Sequence, residues 1–232
     1  MLFLWLSIGN GNTFRVPSSE FQKKKSIMER LPDKTVERLS KYRRALLNSL
    51  LSGKEHIFSH EIAALLHITP VQVRRDLMLI GYTGTLRKGY DVTNLIEKIG
   101  QVLDTLEGQR VAIFGLGNLG RALINYFSGK RTKLTIVAAF DTNPEKTNKE
   151  YHGVMCYDFD RVDEILKQEN VSIGIITVPG ASTRTVAEKI LASGIKGILN
   201  FSSYSLNCPE VYLEEYDMIT SLEKVAYFAK RD

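Results

Sequence analysis

Cysteine is nearly absent from this chain. Its 232 residues include two, Cys156 and Cys208. That is too few for a disulfide framework and points to a reducing compartment, the cytoplasm. Long apolar runs are missing as well. No stretch approaches the roughly 20 residues that cross a bilayer, so no membrane partner is expected. The opening Met1-Leu2-Phe3-Leu4-Trp5-Leu6-Ser7-Ile8 is apolar but short. It lacks the basic leader and small-residue cleavage site of a signal peptide. Gly9 to Lys25 reads as polar and irregular, and Met28 is a candidate natural start. Histidine is scarce too. His56, His60 and His67 have no cysteine or acid cluster beside them, so no metal site is expected.

Charge is present but unevenly spread. The net charge is +5. Residues 31–90 hold ten Lys/Arg against five Asp/Glu, whereas residues 109–232 hold fifteen of each. A small basic module joined to a neutral one suggests a polyanion partner for the first.

The neutral part is organised around Arg110-Val111-Ala112-Ile113-Phe114-Gly115-Leu116-Gly117-Asn118-Leu119-Gly120. An apolar run of strand length ends in glycines, and a helical pattern follows at once. This is the strand-turn-helix setting that a G-x-G-x-x-G dinucleotide fingerprint requires. Gly115 permits the turn, Gly117 lets a pyrophosphate approach the backbone, and Gly120 lets the helix pack on the sheet. The helix N-terminus offers N–H groups to the phosphates. A second strand, Leu134 to Phe140, ends at Asp141. A carboxylate there accepts the hydroxyls of an adenosine ribose and repels a 2′-phosphate. Strands are expected at 110–114, 134–140, 171–176 and 197–200, with helices at 119–128, 161–168 and 181–193. A short strand is expected near Val154-Met155-Cys156 and an edge strand around Val211 to Tyr212. Such alternation predicts a Rossmann-type doubly wound parallel sheet. Thr177-Val178-Pro179 and Asn200 leave strands at the ligand-binding edge. The cofactor residues expected are Gly115, Leu116, Gly117, Asn118, Leu119, Gly120, Asp141, Thr177, Val178, Pro179 and Asn200.

The basic part reads as a winged helix-turn-helix. Val36, Leu39, Tyr42, Leu46 and Leu50 mark one stripe of a helix that begins near Pro32-Asp33 and ends at Gly53. Ser59 is expected to cap a helix to Leu66. Thr69 caps the next, with Pro70 at its first position and Val73, Leu77 and Ile80 inward. Thr83 to Tyr90 forms a wing with a basic tip. On DNA, Thr69, Gln72 and Arg75 would lie nearest base edges, with Arg74 beside them. Arg43, Arg44, Arg87 and Lys88 would hold phosphates. Asp76 is expected to orient a neighbouring arginine. Asp91 to Leu106 is an apolar-faced helix that must pack on something. A last helix from Thr220 to Ala229, with Thr220 and Glu223 as a capping box, is apolar on more than one side. The layout is an irregular extension over 1–30, a winged helix over 31–90, a linker helix over 91–108, a dinucleotide domain over 109–219 and a terminal helix over 220–232.

A winged helix, a linker helix and an NAD-type domain in that order resemble the Rex family of redox-sensing transcriptional repressors. The resemblance runs from about Leu31 to Arg231. Its carriers are Thr69-Pro70-Val71-Gln72-Val73-Arg74-Arg75-Asp76-Leu77, Gly115 to Gly120, Ala139-Phe140-Asp141, Thr177-Val178-Pro179 and Gly194-Ile195-Lys196-Gly197-Ile198-Leu199-Asn200-Phe201. It implies a homodimer on double-stranded operator DNA that senses the NADH/NAD⁺ ratio and leaves the operator when NADH binds. It implies repression of genes for fermentation and anaerobic respiration. It also implies a terminal helix swapped into the partner subunit. The wing holds fewer glycines than is common in the family, and Gly180 to Arg184 depart from its usual Ala and Gln.

Two other readings compete. An NAD-dependent oxidoreductase with a winged-helix regulatory extension would need a proton donor or nucleophile. Its candidates are His152, with no obvious acid beside it, and Cys208, with no base. A substrate domain is also missing after Asn200. A CoA-binding or structural Rossmann domain would make Asp141 incidental. No catalytic residue is assigned.

Overall fold

The computed structural model describes residues 3–8, 12–17, 31–85, 87–105, 107–127 and 133–230, the first two segments by backbone alone. Expectations for residues 18–30, including Met28, and for Leu86, Leu106, Ser128 and Arg231 lie outside the described residues. The chain divides into two compact units, Met1–Leu103 and Asp104–Asp232.

In the first unit, β1 (Phe3–Ile8) and β2 (Asn12–Pro17) pair antiparallel. The irregular reading of 1–30 is corrected for these two stretches. Gly9-Asn10-Gly11 is a turn-type sequence, and Thr13, Phe14 and Val16 favour extended backbone. Next come α1 (Asp33–Leu51), β3 (His56–Ile57), α2 (Ser59–Leu66), α3 (Pro70–Leu79), β4 (Tyr90–Asp91) and α4 (Val92–Leu103). Leu39, Tyr42 and Leu46 of α1, Ile62 and Ala63 of α2, Val73 and Leu77 of α3 and Leu95 and Ile99 of α4 share one core. Val36 and Leu50 stay 39% exposed despite their place on the sequence stripe. At about 100° per residue, Val36 lies nearly a quarter turn off the line through Leu39, Tyr42 and Leu46. Thr35 is buried in its place. The wing is tied at its base: β3 pairs with β4, and Thr85 and Gly89 exchange backbone hydrogen bonds of 2.8 and 2.9 Å. The apolar face of α4 is spent on this unit's core, with Asp91 accepting from Asn94 N–H at its start, 2.8 Å.

The second unit is a seven-stranded sheet with helices on both faces. It contains β5 (Gln109–Phe114), α5 (Asn118–Phe127), β6 (Leu134–Asp141), β7 (Lys149–Tyr151), β8 (Val154–Asp158), α6 (Val162–Gln168), β9 (Ile173–Ile176), α7 (Gly180–Ala192), β10 (Gly197–Asn200), β11 (Tyr212–Glu215) and α8 (Met218–Phe228). The strand order is β11-β10-β9-β5-β6-β8-β7, and every pairing is parallel except β7 with β8. Without β7 this is the Rossmann order, with its switch point between β5 and β9. The centre of β5 faces both ways. Ala112 and Phe114 pack with α6 and α7, while Val111 and Ile113 pack with Ile124 of α5. The strand therefore reads as a continuous apolar run. The fold class expected from the sequence, a winged helix plus a Rossmann-type sheet, holds.

Two element starts move by two residues. β9 starts at Ile173, because the Val171 N–H closes the end of α6 on the Leu166 carbonyl at 2.9 Å. α8 starts at Met218 and is capped by Asp217, which accepts from the N–H groups of Ile219 and Thr220. The expected Thr220 cap is overridden, since a carboxylate is the stronger acceptor at a helix N-terminus. The Thr220 hydroxyl itself donates to Asp217, 2.6 Å.

Candidate dinucleotide pocket and DNA-reading face

The turn between β5 and α5 shows why its glycines are there. Gly115 has φ +99°, and an added Cβ would lie 2.7 Å from Val178 Cγ1. At Gly120 an added Cβ would collide with the Gly115 carbonyl oxygen, so α5 starts against the turn only without a side chain. Gly117 has nothing within 4 Å of that position, so its backbone is open to a ligand. The Thr177 hydroxyl donates to the Gly115 carbonyl at 2.7 Å, which ties β9 to the turn.

A cavity of about 780 Å³ opens at the carboxyl ends of β5, β6 and β9. Gly115, Gly117, Asp141, Thr177, Val178 and Pro179, all expected at the site, line it together. The other expected residues do not line it. The Leu116 side chain is fully buried, and its N–H donates to Asp141 Oδ2 at 2.7 Å. Asn118 accepts from Arg121 on the exposed start of α5, and Leu119 is half-buried on that helix. Asn200 is consumed internally. Its amide donates to the Tyr204 carbonyl and Glu215, and its oxygen accepts from Ser202.

Asp141 is the most heavily bonded group in the cavity wall. Besides Leu116 N–H, it accepts from Asn143 N–H and Lys146 Nζ, each at 2.9 Å. Burial pushes its carboxyl up. The Asn143 N–H, the Lys146 ammonium and the Leu116 N–H outweigh burial and hold it below the usual carboxylate range. Lys146 was not expected here. Asp141-Thr142-Asn143-Pro144 is a turn sequence, but nothing in it says that a lysine folds back onto the acid. Phe159, another wall residue, was also missed.

The enzyme candidates lie elsewhere. His152 is exposed in the turn between β7 and β8, with φ +50°. Cys208 is buried, which pushes its thiol up. Among the described residues no cluster of His, Cys, Asp or Glu could hold a metal ion, and no helix is long and apolar enough to cross a membrane.

On α3, Thr69 accepts from Gln72 N–H at 3.2 Å, and Pro70 is the first helical residue. Arg74 and Arg75 are exposed, and Arg74 donates to the Ser59 hydroxyl at 3.1 Å. Arg87 and Lys88 are exposed at the wing tip, with Lys88 N–H on Thr85 Oγ1. On α1, Arg43 is half-buried, whereas Arg44 is exposed on a groove with Lys41, Asn48 and Leu65. Asp76 does orient an arginine, but Arg38 of α1 rather than Arg74 or Arg75. Arg38 Nε and a terminal nitrogen donate to it at 2.6 and 2.8 Å, Tyr42 Oη at 2.6 Å and Gln72 Nε2 at 2.9 Å. Residues one or two apart on a helix do not face each other. Asp76 points into the core while Arg74 and Arg75 point out. Burial pushes its carboxyl up, and Arg38, Tyr42 and Gln72 more than reverse that.

Two family models match this chain. One is described as "CoA binding domain" over residues 107–204, the other as "Putative DNA-binding protein N-terminus" over residues 30–77. The redox-sensing transcriptional repressor Rex of Geobacillus kaustophilus is 36% identical over 202 residues, covering 87% of this chain and 94% of that protein. Its namesake from Lactobacillus acidophilus is 34% identical over 200 residues, covering 86% and 95%. Two crystal structures of RSP, a Rex-family repressor, are similar in fold. The complex with NAD⁺ and operator DNA has a TM-score of 0.79 at 29% identity, covering 85% of this chain and 92% of that one. The complex with NADH has a TM-score of 0.76 at 28% identity, covering 86% and 94%.

Proposed function

The chain belongs to the Rex family of redox-sensing transcriptional repressors, and from that membership we propose that it is a DNA-binding repressor that senses the NADH/NAD⁺ ratio and leaves operator DNA when NADH binds. The observation that carries this reading is Asp141 beside the open Gly117 backbone in the cavity at the switch point. That pair suits a dinucleotide whose ribose is unphosphorylated. Coenzyme A carries a phosphate on its ribose, which the same carboxylate repels.

In this reading Gly115 to Gly120 receive the pyrophosphate, Asp141 the adenosine ribose and Thr177 to Pro179 the nicotinamide half. Asn200 acts by shaping the loop after β10. Thr69, Gln72, Arg74 and Arg75 read or flank bases, and Arg43, Arg44, Arg87 and Lys88 hold phosphates. The functional segments are 31–90 for DNA, 91–108 as connector, 109–219 for NAD(H) and 220–232 for pairing subunits. The protein works as a cytoplasmic homodimer and does no chemistry on its ligand. A two-fold dimer reads two half-sites at fixed spacing, so any NADH-driven change in subunit geometry spoils the fit.

The test is fluorescence anisotropy of promoter duplexes from the source genome, titrated with protein alone, with NADH and with NAD⁺. NADH should weaken binding by at least tenfold, about 1.4 kcal/mol, and NAD⁺ by much less. Operator affinity unmoved by NADH would overturn the reading.

A further inference from the structure

The carboxylate of Asp141 is itself an anion held by three converging donors: Leu116 N–H at 2.7 Å, Asn143 N–H at 2.9 Å and Lys146 Nζ at 2.9 Å. Two of them are backbone groups, fixed by the glycine turn and by the turn after β6. The third is a cation on the cavity wall whose side chain is 29% exposed, so it borders both protein and open space. Oriented N–H groups with an ammonium are what a phosphate oxygen needs. The cradle faces the position where the adenosine ribose of a dinucleotide would sit.

We propose that Lys146 and the N–H groups of Leu116 and Asn143 form a phosphate-competent cradle that Asp141 fills with its own side chain. Lys146 is then a specificity-determining residue, and selection against NADP(H) rests on one removable carboxylate. This proposal rests on the dinucleotide reading of the cavity. With the carboxylate in place, a 2′-phosphate meets a like charge and finds its donors taken. With the carboxylate gone, the same three donors are left for the phosphate. The alternative is that losing Asp141 only lifts a repulsion, and Lys146 contributes nothing. The two accounts differ in what happens when Lys146 is removed as well.

The experiment is calorimetric titration of NADH and NADPH into the full-length protein and three variants, Asp141→Ser, Lys146→Met and the double substitution. The unsubstituted protein should prefer NADH by about a hundredfold. Asp141→Ser should gain at least tenfold for NADPH while losing affinity for NADH. Lys146→Met alone should gain nothing for NADPH. The double variant should lose the gain by about tenfold, the size expected for one charge-assisted hydrogen bond. A gain for NADPH that survives in the double variant, or no gain in Asp141→Ser, overturns the proposal. If Asp141→Ser does not fold by thermal melting, Asp141→Asn replaces it. Its amide oxygen keeps an acceptor for one of the two backbone N–H groups, which sit on different carboxylate oxygens, and the lost charge releases the ammonium. An unsubstituted protein that bound neither dinucleotide would overturn the cofactor reading itself, a result distinct from any pattern within the cycle.

Discussion

Asp76 joins α3 to α1 through a single carboxylate. It is fully buried, and Arg38, Tyr42 and Gln72 all donate to it. Removing one partner of a buried ion pair costs about 3–5 kcal/mol. Arg38 keeps 22% of its side chain in water, so Asp76→Ala should cost about 3 kcal/mol, the lower end of that range. Urea denaturation of the isolated variant measures it. A cost below about 0.5 kcal/mol, the size of an ordinary surface substitution, would mean that the network contributes little. The pH dependence has a definite sign. Because the folded carboxyl titrates below its unfolded value of about 3.9, its stabilisation is present above that value. It is lost as pH falls through the folded value. Acid titration of the parent should show that loss below about pH 4, and Asp76→Asn should flatten it. At this scale the sequence announced some residues and hid others. Gly115, Gly120 and Asp141 were legible because each is demanded by local backbone geometry or by position at a strand end. Arg38 and Lys146 were not. The first meets Asp76 only after two helices pack, and the second folds back across a turn that imposes no such pairing.

Among the described α-helices, α8 is the one without a buried residue. Ile219, Leu222, Val225 and Phe228 are 64, 69, 63 and 79% exposed. Apolar side chains spread around a helix are costly to leave in water, at about 25 cal/mol per Å². That supports the proposal that α8 completes a homodimer. Truncation before Asp217 should give monomers or aggregates in sedimentation velocity, where the full chain gives a dimer. A soluble, dimeric truncation product would sink the idea. α8 itself was legible from composition, but its first residue was not, because Asp217 competed with Thr220 for the cap. The edge strand β7 was missed for a related reason. Lys149-Glu150-Tyr151 has no alternating apolar pattern. It is held in place by the turn at His152 and Gly153, whose φ angles of +50° and +84° are those of a tight hairpin. The central strands β5 and β6 were legible because burial on both faces leaves a run that no solvent-exposed segment would carry. In the first unit the stripe on α1 was legible only in its middle. Both ends drift off the packed line as the helix turns.

For the whole molecule the question is how occupancy of one unit is felt by the other. The covalent connection is short: α4 ends at Leu103 and β5 begins at Gln109. The apolar face of α4 is already packed in the first unit's core. Any motion of α4 must therefore carry α1, α2 and α3 with it, because close-packed cores move as bodies rather than deform. Coupling between the two sites is a free energy and is reciprocal. If NADH weakens operator binding a hundredfold, bound operator must weaken NADH binding a hundredfold, about 2.7 kcal/mol. NAD⁺ occupies the same cavity in this reading, yet it shifts the balance only by its differential affinity for the two states. In this reading that difference is small, so its dissociation constants with and without DNA should lie close together. NADH and NAD⁺ are to be titrated into free protein and into protein saturated with an operator duplex, at one fixed salt concentration. Salt must be fixed because phosphate contacts make DNA affinity steeply dependent on it. NADH constants separated by the same factor that NADH imposes on DNA affinity would establish the linkage. Equal NADH constants in the two titrations would rule out an NADH-controlled switch, even if both ligands bind well.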